Sequence, residues 1–331
     1  MAAESGFWFK LKHMDRGMLV KKMLSFDNVY VIAVRRIADG KTLPEDKDRE
    51  FVQITDTRDF WYADPSLFEW QGDTWLFVEA FDRKTLLGGI ACCKLCDDPA
   101  EDVKKLRVVI SEDFHMSFPQ VFEWNGGLYM IPETGDDHSL ILYRAVDFPD
   151  KWERVVRIQT ESVLADTAVV KKESGRLTLL TSELSTKRQY FQRYHRMYLT
   201  DKGNGRWELT DDEEFLSKQE FSYIARNAGS LYEEGGQIML PTQESTETVY
   251  GVRLNFVRYD ENEADIFAQR TGSIGPEDVT VRGFGKGRAS GGRLDGVHSY
   301  ARSRDYEVID LYYNEFTPLK HFRKIAKKLK Y

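Results

Sequence analysis

Cysteine is scarce in this 331-residue chain: Cys92, Cys93 and Cys96 are the full set. Three thiols crowded into one apolar segment cannot make a disulfide framework. Cys93 and Cys96 stand as a CxxC, but no second pair and no histidines at ligand spacing follow to complete a zinc site. We read all three as structural thiols of a reducing compartment, which makes the cytoplasm the expected location. Long apolar runs are missing too. No stretch approaches the ~18 residues needed to cross a bilayer, and the opening MAAESGFWFKLKHMDRGMLVKKML alternates charge with apolar residues and holds no signal-peptide core. Basic charge is not in excess: 47 lysines and arginines face 54 acids, for a net charge of −7. That balance argues against nucleic acid as a partner and suits a ligand with neutral hydroxyls. The glycine-rich 283-GFGKGRASGGRLDG-296 lacks G-x-x-x-x-G-K-[ST] and precedes no helical pattern, so it reads as a connection and not as a phosphate loop.

What the chain does contain is a repeat. The stretch 59-DFWYADPSLFEWQGDTWLFVEAF-81 is echoed by 115-HMSFPQVFEWNGGLYMIPET-134, which sets Pro119 on Pro65, Phe122 on Phe68, Trp124 on Trp70 and Gly126 on Gly72. A third unit, 164-LADTAVVKKESGRLTLLTSEL-184, restores the acid, with Asp166 matching Asp64 and Glu183 matching Glu79. Weaker echoes are 226-RNAGSLYEEGGQIMLPTQE-244 and 296-GVHSYARSRDYEVIDLYY-313. Each has a short strand, a polar turn and a second apolar strand, at a spacing that suits propeller blades of four strands. The expected fold is therefore all-β: a five-bladed β-propeller over residues 26–316, flanked by short helical or irregular termini. Residues 1–25 form an N-terminal extension and 317–331 a tail. The strand-like 27-DNVYVIAVRRI-37 is expected to complete the last blade and join the chain ends. Pro65, which cannot donate to a ladder, is expected to start its strand beside the central channel. Trp152 and Trp207 are expected to pack between blades. The tail 319-LKHFRKIAKKLKY-331 places apolar residues at helical spacing among six lysines and arginines. It predicts reversible attachment to an anionic membrane surface, at the cytoplasmic face.

In a propeller the residues that open each repeat converge on one axial pocket. Here they are Asp64, His115 with Ser117, Asp166, Arg226 with Asn227, and His298; the ends of the second strands add Glu79, Glu133, Glu183 and Gln243. Carboxyl groups around a small pocket are what glycosidic chemistry needs, one protonated to donate to the leaving oxygen and one ionised to activate water or attack carbon. Each also has a plainer reading. An aspartate before proline serves as a strand-entry residue, Glu133 as a solvated rim acid, the histidines as hydrogen-bonded structural groups, and Arg226 as a salt bridge to one of these acids.

The series WYADP, FVEAF, HMSFPQVF, YMIPET, ILYRAVDFPDKW, ADTAVV, ARNAGSL and PTQES followed by VYG closely resembles the five-bladed propeller domain at the N-terminus of plant glucosamine inositolphosphorylceramide transferase, over residues 55 to 315. More distantly, ADPSLF resembles the first-blade motif of the arabinanase, levansucrase and invertase group of glycoside hydrolases, whose base or nucleophile is that aspartate. The resemblance implies an axial sugar site, with Asp64 as base or nucleophile and Glu133 or Asp166 as the acid or as the group that tunes it. His115, Ser117, Glu79, Arg226, Gln243 and Tyr250, the last from VYG, then make up the substrate-binding set. His298, in GVHSY, resembles a histidine near an axial cation in some of these propellers, which makes it the candidate metal ligand, with Ca2+ as the candidate ion. The chain departs from the hydrolase pattern at Phe118, where that group has a second Asp, and at Asp166, where it has a Glu. The expected partner is a carbohydrate or glycoconjugate. A glycoside hydrolase-type or glycosyl-transferring enzyme, a non-catalytic glycan-binding propeller and a scaffold for a membrane glycan-assembly complex all remain open.

Overall fold

Strand β1 (Phe26–Arg36) lies against the last strand of the chain, β21 (Tyr306–Phe316), in an antiparallel ladder that runs from Phe26 opposite Phe316 to Arg36 opposite Tyr306. In the computed structural model, which describes residues 26–37, 40–48, 50–54, 56–184, 192–246, 249–263, 265–282 and 294–316, this pairing closes a ring of five antiparallel blades. Blade one is β3 (Phe60–Trp70), β4 (Asp73–Asp82), β5 (Leu87–Leu95) and β6 (Arg107–Ile110). Blade two is β7 (Ser117–Trp124), β8 (Gly127–Glu133), β9 (Ser139–Asp147) and β10 (Lys151–Gln159). Blade three is β11 (Leu164–Glu173), β12 (Arg176–Leu184), β13 (Gln192–Asp201) and β14 (Trp207–Asp211). Blade four is β15 (Tyr232–Glu234), β16 (Gln237–Glu244), β17 (Arg253–Arg258) and β18 (Arg270–Ile274). Blade five takes β20 (Gly296–Arg302) and β21 from the end of the chain, β1 and β2 (Phe51–Gln53) from its beginning, and β19 (Val281–Arg282) as a parallel edge strand. The N-terminal strand thus completes the last blade as expected, with β2 following it outward. The N-terminal extension, residues 283–293 of the glycine-rich connection and the basic tail lie outside the described residues.

Hydrophobic patterning explains the closure. The second strand of a blade is covered on both faces, so it reads as a continuous apolar run and not as an alternation. In β4, Leu76, Val78 and Ala80 pack with Ile32, Val34 and Val308 of blade five, while Phe77 between them packs with Met116, Met130 and Ile141 of blade two. The same division fills the interfaces between blades two and three, three and four, and four and five. Trp152 meets Phe77 edge-on at 6.2 Å and Trp207 meets Trp124 at 6.0 Å, so both pack between blades. The hairpins at Gln71–Gly72 and Asn125–Gly126 have both central residues at positive φ, 52° and 85° in the first and 47° and 72° in the second. This is the turn geometry whose twist matches the strands it joins. Among the described residues helix is confined to short segments such as Pro99–Asp102 and Glu213–Ser217, and no helix is long and apolar enough to cross a membrane.

Cys92 and Cys93 are buried on β5 and Cys96 is exposed just beyond it. Burial pushes the thiols of Cys92 and Cys93 up to about 12, which removes the reactive thiolate at neutral pH. We expect a thiol reagent to modify Cys96 alone in the native protein and the other two only in denaturant. Native labelling of Cys92 or Cys93, read by mass spectrometry, would contradict this.

Candidate functional site

The inner strand of each of the first three blades is interrupted at an equivalent place, and β11 has a second shift between Val169 and Lys171. In β3 the register jumps between Ala63 opposite Glu79 and Ser66 opposite Phe77. In β7 it jumps between Ser117 opposite Glu133 and Gln120 opposite Ile131, and in β11 between Ala165 opposite Ser182 and Ala168 opposite Leu180. The first residue of each bulge is Asp64, Phe118 or Asp166, at φ of 48°, 46° and 50°. A left-handed residue other than glycine carries strain, and a bulge re-aims the side chain it bears. Pro65 therefore sits inside a bulge in mid-strand and not at the strand start, because the bulge is where a missing N–H costs the ladder nothing.

The bulges surround an axial cavity of about 160 Å³, lined by Asp64, Glu79, His115, Ser117, Glu133, Arg226, Tyr250 and His298, together with Tyr30 and Trp61. Ser230 Oγ, from the segment leading into blade four, donates to Gln120 Oε1 of blade two at 2.8 Å. These blades are not neighbours, so the bond spans the axis. Four residues of the expected set, Asp166, Asn227, Gln243 and Glu183, are in the fold but not on the cavity wall. Asp166 is 1% exposed, and its Oδ2 accepts from Arg226 Nε and, at 2.8 Å, from Gln243 Nε2. Gln243 Nε2 also donates to the carbonyl of Asn227 at 2.7 Å. Asp166 thus holds the Arg226 guanidinium, and Gln243 holds Asp166. Glu183 leaves the axis altogether. The residue opposite Ala165 is Ser182, so Glu183 is one step out of phase with Glu79, and a one-residue slip turns a side chain to the other face. It meets the ring of His195 at 3.0 Å, whose other nitrogen is 2.7 Å from Asp211.

Two charged clusters face each other around the pocket. In the first, the Arg226 guanidinium pairs with Asp166, lies 3.7 Å from Glu133 Oε2 and sits 4.6 Å over the Tyr250 ring. The backbone N–H of Asp166 donates to the same Glu133 oxygen at 3.0 Å. Burial opposes the charge on Arg226, but Asp166 and Glu133 outweigh it and hold the guanidinium above its usual range. In the second, His298 Nδ1 lies 3.0 Å from Asp310 Oδ2 and 3.2 Å from Asp64 Oδ1. Burial would discharge this ring, yet Asp310 and Asp64 hold its pKa well above the ordinary value. Glu79 and Glu133 move the other way from most acids: burial first, then the charges of Asp64 and Asp166 respectively, raise both well above the usual carboxyl range. His115 Nδ1 accepts from the Gly88 N–H at 2.9 Å, so its proton is on Nε2, which points at Glu79 Oε1, 3.6 Å away.

Asp310 belongs to this site and is not evident in the sequence. Its repeat is the weakest, and it stands opposite Ser299 while Leu311 stands opposite Val297, so it falls a residue away from the position of Glu79. Tyr30 reaches the cavity from β1, in blade five, and Trp61 from β3, three residues before Asp64; as aromatic residues within strands they carry no polar signal in the repeat. His298, Asp64 and Asp310 bring three ligand atoms within 4.8 Å of one another. This set does not suit the calcium ion considered for the axis. Calcium takes about six to eight oxygens; here one donor is a nitrogen, already hydrogen-bonded to Asp310.

The raised carboxyls make a pH prediction. A folded state that keeps a proton which the unfolded chain releases is destabilised as pH rises. For Glu79 that loss begins above its ordinary value of 4.5. A Glu79→Gln protein, neutral at all pH, should therefore gain on the parent between pH 4.5 and 8, by up to ~1.4 kcal/mol for each unit by which the native pKa is raised. Urea unfolding at the two pH values measures it, and a gap that does not move would mean Glu79 titrates normally.

The family model described as glucosamine inositolphosphorylceramide transferase 1, N-terminal, matches residues 52–274. Among curated proteins, glucosamine inositolphosphorylceramide transferase 1 of Arabidopsis thaliana is 39% identical over 112 residues, 34% of this chain and 14% of that protein. The protein of the same name from Oryza sativa subsp. japonica is 26% identical over 218 residues, 66% of this chain and 28% of that protein. The chain thus spans less than a third of these relatives. Among solved structures, the catalytic domain of an α-L-arabinofuranosidase from Coprinopsis cinerea aligns with a TM-score of 0.49 at 11% identity, covering 77% of this chain and 92% of that one. An α-L-arabinofuranosidase from Lactobacillus brevis aligns with a TM-score of 0.42 at 15% identity, over 68% and 76%. With the match to residues 52–274 extending over more than half of its length, the chain belongs to the family defined by the N-terminal region of glucosamine inositolphosphorylceramide transferase 1.

Proposed function

We propose that this propeller binds the terminal sugar of a glycan or glycoconjugate in its axial pocket and acts on the glycosidic bond by carboxyl chemistry of the glycoside hydrolase type. The observation that carries this reading is the convergence of Asp64, Glu79 and Glu133 on one cavity, where burial and neighbouring acids push the carboxyls of Glu79 and Glu133 well above the usual range. Glycosidic cleavage needs that division of labour, one proton donor and one carboxylate. The Asp64 carboxylate serves as base or nucleophile and Glu133 as the acid, while Glu79, His115 and Arg226 bind hydroxyls. A cavity of about 160 Å³ is smaller than the pockets of drug-sized ligands, about 300–1,000 Å³. That size suits a single sugar ring, as at the end of a glycan chain. The name of the matched relatives, glucosamine inositolphosphorylceramide transferase 1, contains an amino sugar and supports a carbohydrate ligand.

One observation favours binding without turnover as the second reading. Asp166, at the bulge equivalent to that of Asp64, is consumed by Arg226 and Gln243, so the third blade offers no free acid. A glycan array followed by product analysis separates the two. Released sugar supports the hydrolase reading, retention in the pocket without product supports the binding module, and neither result supports a scaffold and overturns the proposal.

A further inference from the structure

Three buried polar atoms around the pocket have no hydrogen-bond partner in the protein: Asp64 Oδ1, Glu79 Oε1 and His298 Nε2. Burying an unmet polar atom is costly, and all three belong to residues that line the same cavity. Of these, His298 is the most firmly aimed. Asp310, fully buried on β21, accepts from the Ser299 N–H on Oδ1 at 2.6 Å. On Oδ2 it meets both the Asp64 N–H at 2.9 Å and His298 Nδ1 at 3.0 Å. One carboxylate therefore fixes the imidazole and the bulge that carries Asp64. Aromatic rings confine the imidazole further, with Tyr250 centred 5.0 Å and Tyr30 5.1 Å from it. Gly251, at φ 69°, lies so close that a Cβ there would stand 2.6 Å from His298 Cδ2. The ring cannot turn, and its free nitrogen is left to a ligand.

We propose that His298 is a sugar-contacting donor of the axial pocket, that Asp310 is its positioning residue, and that Nε2 together with Glu79 Oε1 takes a sugar with adjacent free hydroxyls. This rests on the sugar-binding reading above and narrows it to an unsubstituted terminal ring. One hydroxyl accepts from Nε2–H, and its neighbour donates to Glu79 Oε1. A substituent on either oxygen would remove a hydrogen bond and add bulk to a cavity of only about 160 Å³.

The probes are methyl glycosides of the common pentoses and hexoses and their monodeoxy derivatives, titrated calorimetrically into the parent, His298→Gln and Asp310→Asn proteins. For the glycoside the parent binds, His298→Gln should weaken affinity about 10- to 100-fold, as for a lost hydrogen bond to a charged group. The monodeoxy analogue that lacks the contacted hydroxyl should lose a similar factor on the parent and almost nothing more on the variant, a coupling that a purely structural histidine would not show. In long-range proton–nitrogen spectra the parent should show a fixed Nδ1–H on His298, and Asp310→Asn should abolish that signature as affinity falls. If His298→Gln does not fold, the parent decides alone, since the bound glycoside must shift the Nε2 resonance. Affinity within about twofold of the parent in His298→Gln, or an unshifted Nε2, overturns this inference and leaves the proposed function standing. Failure of the parent to bind any of the glycosides overturns the proposed function itself.

Discussion

Replacing Asp64 with Asn is expected to lower turnover at least about a hundredfold on any glycoside the protein cleaves, with little change in sugar affinity. The substitution is unusually clean here. Asp64 sits at φ 48°, a conformation that asparagine tolerates better than almost any residue except glycine. Its tie to Asp310 runs through its backbone N–H, which the substitution retains. The bulge should survive, while the negative charge that activates water or attacks carbon is removed together with its pairing to His298 Nδ1 at 3.2 Å. Glu133→Gln should be comparably damaging, but least so on substrates with good leaving groups, because these need little protonation. Steady-state kinetics on activated and natural glycosides measure both. Full turnover in the Asp64 variant would make the residue a structural occupant of the bulge and end the hydrolase assignment.

Replacing Glu307 with Ala is expected to lower stability by about 3–5 kcal/mol, the cost of leaving a buried partner charge uncompensated. Glu307, on β21, is fully buried, and Arg35, opposite it on β1, is 4% exposed. Glu307 Oε2 accepts from Arg35 Nε at 2.7 Å, while Oε1 accepts from the Leu43 N–H at 2.8 Å and from the Tyr300 hydroxyl at 2.6 Å. Arg35 also donates to the Asp46 carbonyl at 2.8 Å and stacks 4.5 Å over Phe51. The pair therefore anchors the ladder between the two ends of the chain, together with the segment that leads into β2. Replacing both partners with apolar residues of similar size should recover much of the loss, since it removes the stranded charge along with its partner. Urea unfolding of the single and double variants tests this. A single-variant loss below about 1 kcal/mol would mean that the closure does not depend on the pair.

The sequence by itself determined the blades, because a blade is built from short-range signals. The apolar runs of the second strands, the glycine turns after Trp70 and Trp124, and the recurrence of Asp64 as Asp166 all arise within a few residues, where propensity and periodicity act. The polar residues that open the repeats were legible for the same reason, and most of them line the cavity. What only the tertiary structure decided was which of these groups meet, and on which face. A one-residue offset in β12 turns Glu183 away from the axis to His195. Arg226 arrives from blade four to occupy Asp166, and the bulge absorbs Pro65 in mid-strand. Asp310, at no matching position in its repeat, becomes the acid that fixes both Asp64 and His298. These outcomes depend on register and on the convergence of strands more than two hundred residues apart, as in the Asp64–Asp310 contact. Register is set by the packing of whole blades around the ring, and no local stretch of sequence records it.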